Sequence, residues 1–172
     1  KLNFDLNLLQ KFCFELQHNN QGRKRSNVGG WQSNDYRTFE DTPLQDLVKY
    51  ALKESHHIAA DLGIPKSDRY IENLWVNINP KYSYNQVHVH PEARLSGVFY
   101  VDAPDKAGDI CFTRDNGYAL GTVAPELTRY SGVEQHYPAK TNRMIIFPAW
   151  VAHHVKPNMS DQDRISISFN IL

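Results

Sequence analysis

Apolar residues recur first at helical spacing and then at strand spacing, and the change falls near residue 71. Leu8, Leu9, Phe12, Cys13 and Leu16 predict an amphipathic helix over about residues 4–18, closed by the polar run His18-Asn19-Asn20-Gln21-Gly22. A second helix is marked more fully. Thr42 can cap it, Pro43 suits its first turn, Gln45 completes a Thr-x-x-Gln capping box, and Gly63 with Pro65 stops it. Its stripe of Leu44, Leu47, Val48, Ala51, Ile58 and Leu62 needs a flat apolar partner, which a sheet would supply.

Short β-rich runs follow: 74–78, 86–90, 97–101, 110–112, 144–147 and 165–169, separated by Pro, Gly, Asn and Asp. This texture predicts a mainly β chain, a small antiparallel barrel or sandwich buttressed by the N-terminal helices. We expect one domain over residues 1–172, helical in 1–70 and β in 71–172. Residues 113–142 lack a clear period but carry Tyr118, Tyr130 and Tyr137, and a stretch of that length is more often functional than idle.

Composition works by exclusion. With 172 residues, 41% apolar and 12% aromatic, the chain can bury one good core. Lys plus Arg and Asp plus Glu stand at 19 each, so no broad basic face for nucleic acid is implied. The apolar runs fall far short of the roughly 20 residues a membrane helix needs, so no span is expected. No charged-then-apolar leader is visible at the N-terminus. Cys13 and Cys111 show no metal-type spacing and read as free thiols in a reducing compartment, the cytoplasm.

The candidate chemistry lies in the β half. On a strand, residues i and i+2 face the same way, so His88 and His90 can aim two imidazoles at one point. His153, after the bend that follows Phe147-Pro148-Ala149-Trp150, supplies a third. Iron(II) accepts imidazole nitrogen, and three protein ligands on one side leave positions for a co-substrate and oxygen. The usual third ligand is a carboxylate, so two registers compete: His88/His90/His153 and His90/Glu92/His153. Taken alone, such a pair is more often simply satisfied or solvated. Downstream, Arg164, Ser166, Ser168 and Asn170 share one strand face while Ile165, Ile167 and Phe169 share the other. An Arg fork with a Ser hydroxyl suits a carboxylate, the alternative being a surface strand with an ordinary ion pair. His56-His57, adjacent on a helix, face different sides and read as surface or packing residues. Trp31, Trp75 and Trp150 read as core or pocket lining, Asn77 as a possible co-substrate contact, and Tyr82 and Tyr84 as entrance residues.

His88-Val89-His90-Pro91, Leu95-Ser96-Gly97-Val98-Phe99-Tyr100-Val101, Phe147-Pro148-Ala149-Trp150 with His153 and Val155, and Arg164-Ile165-Ser166-Ile167-Ser168-Phe169-Asn170 together resemble the 2-oxoglutarate and iron(II)-dependent oxygenases related to prolyl hydroxylases. Ser26-Asn27 with Gly30-Trp31-Gln32-Ser33 extends the likeness over nearly the whole chain. The resemblance implies a double-stranded β-helix, or cupin-like jelly roll, with Fe(II) on His88, His90 and His153. It implies that Arg164 and Ser166 hold the distal carboxylate of 2-oxoglutarate, assisted by Tyr100, and that His154 is only a neighbour. The implied reaction is hydroxylation of a C–H bond by O2, with 2-oxoglutarate released as succinate and CO2 and ascorbate as an accessory reductant. The primary substrate, peptide or small molecule, and the oligomeric state are not legible. Two other classes stand beside this one: a cupin-like three-His enzyme that does not use 2-oxoglutarate, and a non-catalytic jelly-roll binding protein.

Overall fold

The computed structural model describes residues 3–65, 69–113 and 133–172. In chain order the elements are α1 (Leu6–Asn19), β1 (Asn27–Val28), β2 (Trp31–Gln32), α2 (Gln45–Asp61), β3 (Ile71–Asn79), β4 (Tyr84–His88), β5 (Leu95–Asp102), β6 (Ile110–Thr113), β7 (Glu134–Tyr137), β8 (Arg143–Pro148), β9 (His153–Val155) and β10 (Arg164–Ile171). They build two five-stranded sheets, a larger one ordered β2-β3-β10-β5-β8 and a smaller one ordered β1-β4-β9-β6-β7. Every strand pairing is antiparallel, and the two facing sheets make the expected jelly roll.

The strand β10 sits at the centre of the larger sheet, paired with β3 on one side and β5 on the other. Its side chains alternate. Ile165, Ile167, Phe169 and Ile171 are buried on the face covered by the helices. There they meet Leu74, Val76 and Ile78 of β3, Leu95, Phe99 and Val101 of β5, and Leu9, Cys13, Leu47, Val48, Ala51 and Ala59 from α1 and α2. The stripes of the two helices thus pack on a sheet, as their spacing requires, although Leu8 of α1 and Leu62 at the end of α2 stay exposed. A smaller cluster of Val98, Tyr100, Ile110 and Phe147 lies between the two sheets.

Three differences from the sequence reading have physical causes. The Thr42 hydroxyl accepts the Leu44 N–H and donates to the Phe39 carbonyl, so it closes a turn, and α2 begins at Gln45 with no side-chain cap. The N-terminal seventy residues also carry β1 and β2, two-residue strands that pair with β4 and β3 and are too short to show a period. Trp150 is 61% exposed, so it is neither core nor pocket lining. Of the aromatic segment, Tyr137 belongs to β7, while Tyr118 and Tyr130 lie outside the described residues.

Gly97 of β5 faces Phe169 of β10 so closely that a Cβ there would come within 2.4 Å of the ring. Both positions are buried, and Phe169 completely so. Gly97→Ala should destabilise the protein by about 1–3 kcal/mol through overpacking. The urea-unfolding midpoint measures this, with an unchanged midpoint as the contrary result.

Candidate metal and co-substrate site

The pairing of β4 with β9 sets His88 directly opposite His153, sixty-five positions apart in sequence. His90 lies two residues beyond His88, past the end of β4, where its N–H donates to the Ala149 carbonyl at 2.9 Å. The three rings converge. Their centroids are 4.3 Å (His88–His153), 5.1 Å (His88–His90) and 5.2 Å (His90–His153) apart, and one nitrogen from each lies within 4.8 Å of the others. Glu92, exposed in the turn after Pro91, is outside this group.

The tautomers are set by the backbone. His88 Nδ1 donates to the Gln86 carbonyl at 2.7 Å, and His153 Nδ1 to the Val151 carbonyl at 2.9 Å. A carbonyl can only accept, so each proton sits on Nδ1 and each Nε2 keeps its lone pair free. Apolar rings wall the site, with Phe147 at 4.7 Å and Phe112 at 6.0 Å from His153, and Trp75 at 5.8 Å from His90. Burial, reinforced by the neighbouring imidazoles, pushes His153 down to about 3 and His90 down to about 4, and burial lowers His88 as well. All three are neutral near pH 7, the state a metal requires.

Across the cavity, Tyr100, Ser166 and Asn77 form one rung over β5, β10 and β3, and Arg164 with Asn79 forms the next. Arg164 is 1% exposed. Its Nη1 donates to the carbonyls of Ala107 and, at 3.3 Å, Lys156. Gly108, at φ 89, lets that loop come close, since a Cβ there would lie 2.3 Å from the Lys156 carbonyl oxygen. Among the described residues no carboxylate pairs with this guanidinium. Burial lowers its pKa, while the nearby Tyr100 works the other way. The Tyr100 phenol is pushed up to about 12, chiefly by burial, so it stays a neutral donor. The Asn77 Nδ2 donates to Ser168 Oγ at 3.1 Å, and its Oδ1 is buried without a partner.

One cavity of about 670 Å³ is lined by His88, His90, His153, Arg164, Ser166, Tyr100 and Asn77 together. Tyr82 and Tyr84 are not among its lining residues. Trp75, expected as core or pocket lining, does line the cavity, whereas sequence reasoning missed Asn73, although it shares the Asn77 face by simple alternation, and the basic run Arg23-Lys24-Arg25. His56 and His57 are exposed, and His56 meets Arg69. Among the described residues no helix is long and apolar enough to cross a membrane.

The donor set fits a divalent metal with imidazole ligands, and the stranded arginine fits an anionic co-substrate. A cavity of that kind defines a jelly-roll metalloenzyme. The family model described as "Putative 2OG-Fe(II) oxygenase" matches residues 73–170, and the chain belongs to that family. It is a 2-oxoglutarate-dependent dioxygenase. No curated protein matches it in sequence. Solved structures share its fold. A prolyl-4-hydroxylase from Pseudomonas putida superposes with a TM-score of 0.68 at 14% identity, covering 97% of this chain and 88% of the other. The carbocyclase SnoK from nogalamycin biosynthesis does so with a TM-score of 0.69 at 13% identity, covering 97% and 74%. HygX from Streptomyces hygroscopicus, solved with nickel and 2-oxoglutarate bound, gives a TM-score of 0.61 at 9% identity, covering 98% and 79%.

The lowered histidine pKa values carry a sign. An unfolded histidine takes up its proton near pH 6.5 whereas these take it up well below, so between those limits the unfolded chain binds more protons. Metal-free protein should keep this part of its stability above about pH 6.5 and lose it as pH falls toward the folded values. NMR titration of the imidazole Cε1–H resonances should find His90 and His153 neutral at pH 5.5. Titration of either near 6.5 in folded protein would contradict the burial argument.

Proposed function

We propose that His88, His90 and His153 hold iron(II) and that Arg164, with Ser166, Tyr100 and Asn77, binds the distal carboxylate of 2-oxoglutarate. The observation that carries this reading is the buried, carboxylate-free guanidinium of Arg164 lining the same cavity as three neutral imidazoles. Iron with 2-oxoglutarate and O2 would supply the oxidation that hydroxylates a substrate C–H bond, as the co-substrate becomes succinate and CO2.

The side chains have separable tasks. His88 and His153 present Nε2 because backbone carbonyls hold their Nδ1 protons. Arg164 fixes the far end of the co-substrate by charge, and the Tyr100 phenol and Ser166 hydroxyl donate beside it. The free Asn77 Oδ1 can accept a donor from whatever fills the cavity. Phe112, Phe147 and Trp75 exclude water around the metal ligands. With no carboxylate among the ligands, the protein contributes no negative charge, which favours the doubly anionic keto acid. A three-His enzyme without 2-oxoglutarate would leave Arg164 buried with no function.

Arg23, Lys24 and Arg25 line the cavity, and Lys24 and Arg25 are exposed, so the primary substrate would enter past them. Arg23 is paired with Asp35, whereas Lys24 and Arg25 make no ion pair among the described residues, so the mouth suits a substrate with an anionic group. By analogy with the Pseudomonas putida prolyl-4-hydroxylase, a prolyl residue in a peptide that carries such a group is a candidate. The 172 residues act as one oxygenase domain. Ascorbate serves as the reductant, and the two free cysteines suit the cytoplasm.

Anaerobic titration with 2-oxoglutarate, read by the visible metal-to-ligand charge-transfer band of the iron-loaded protein, tests this assignment. Arg164→Ala should keep iron but bind 2-oxoglutarate about 2–5 kcal/mol more weakly, because the co-substrate carboxylate loses its partner. Unchanged affinity would remove Arg164 from the co-substrate site.

The ligand set is tested by iron content in variants whose folding is checked by circular dichroism. His88→Ala should lose iron and Glu92→Ala should retain it. Full iron in folded His88→Ala would transfer the role to another side chain.

A further inference from the structure

The smaller sheet carries a second convergence on the face turned away from the cavity. β6 runs between β9 and β7, and its Cys111 lies directly opposite His154 on one side and His136 on the other. Alternation separates the two faces. Phe112, Tyr137 and His153 point inward, as their ring contacts show, so Cys111, His136 and His154 point outward with Glu134, two residues before His136. The Cys111 sulfur, a Glu134 oxygen and a His136 nitrogen lie within 4.8 Å of one another. Cys111 is fully buried yet belongs to neither apolar cluster, and its S–H donates to the Asp109 carbonyl at 3.8 Å.

We propose that Cys111, Glu134 and His136 form a second metal site, on the outer face of the smaller sheet, for a borderline-soft divalent cation of the zinc class. Thiolate, imidazole and carboxylate are the donors such an ion takes, in a tetrahedron whose fourth corner falls to water. The surrounding groups fit the roles that orient metal ligands. His154 Nε2 donates to Glu134 Oε1 at 2.9 Å, holding the carboxylate in place. The Asp109 Oδ2 stands 3.9 Å from His136 Nδ1, where it can accept the proton of an imidazole bound through Nε2. Two contacts must give way to the metal: the Lys156 ammonium donates to His136 Nδ1 at 2.9 Å and must swing aside on its flexible stem, and His136 Nε2, 3.4 Å from Glu134 Oε2, must pass its proton to Nδ1. Binding is ligand exchange without redox change, with the Cys111 proton leaving to solvent as sulfur bonds the metal. The ion would clamp β6 to β7, the strands that bracket residues 114–132.

The two sites are distinguishable because the three-histidine group contains no sulfur. Cobalt(II) added to reduced protein is the probe, read by the near-ultraviolet sulfur-to-cobalt charge-transfer band. The band should appear in wild type, in Cys13→Ser and in His88→Ala, and vanish in Cys111→Ser. His154→Gln should weaken cobalt binding, followed by this band, roughly 10–100-fold, and Lys156→Met should strengthen it. Folded wild type that shows no band in excess cobalt, taking up metal at other histidines only, overturns the proposal. So does a band that survives Cys111→Ser or is lost in Cys13→Ser. The result is independent of whether His88, His90 and His153 hold iron.

Discussion

The two-residue period of β10, a central strand buried on both faces, organises the molecule. Ile165, Ile167, Phe169 and Ile171 anchor the helices on one side, while Arg164, Ser166, Ser168 and Asn170 line the cavity on the other. A one-residue slip would exchange these faces, setting a guanidinium in the apolar core and isoleucines in the site. Register is held from both neighbours, by eight paired positions along β3 and by the close fit of Gly97 to Phe169 along β5. The packing that stabilises the fold is therefore the packing that aims Arg164.

Electrostatics then decides what the cavity can accept. Among the described residues its lining carries Arg23, Lys24, Arg25 and Arg164 against a single carboxylate, Asp35, which Arg23 already engages. The imidazoles add no charge because burial holds them neutral. A low-dielectric pocket with cations at its wall and mouth favours anions far more than the zero formal charge of the chain would suggest. Net charge speaks of the whole surface. The potential inside the cavity is set by where its few unpaired cations stand.

What could be read from the sequence was what repeats locally. β3, β5, β8 and β10 are long enough to show alternation, and α1 and α2 show helical stripes, so the layered β architecture was legible. β1, β2, β7 and β9 have two to four residues, too short for a period to emerge. The pairing of His88 with His153 was reachable because a motif resemblance joined distant residues. Cys111 had no such help. It looked like a lone thiol because its neighbours His136 and His154 come from other strands, twenty-five and forty-three positions away, and only cross-strand register brings them together. Linear spacing finds metal ligands within one turn or strand and misses those assembled across a sheet.

The arrangement also carries a thermodynamic consequence. A guanidinium at 1% exposure whose only hydrogen bonds described run to the Ala107 and Lys156 carbonyls holds a largely uncompensated charge, which is costly in an apolar setting. Three lone pairs converging without a proton add to that cost. That charge and those lone pairs make the site unfavourable on its own, and any ligand that neutralises Arg164 or bonds the imidazoles in the folded state alone stabilises it by mass action. Strand pairing and helix packing hold the site ready against its own electrostatics. The groups best placed to bind an anion or a metal are the same ones that leave the unliganded protein less stable than its core alone would make it.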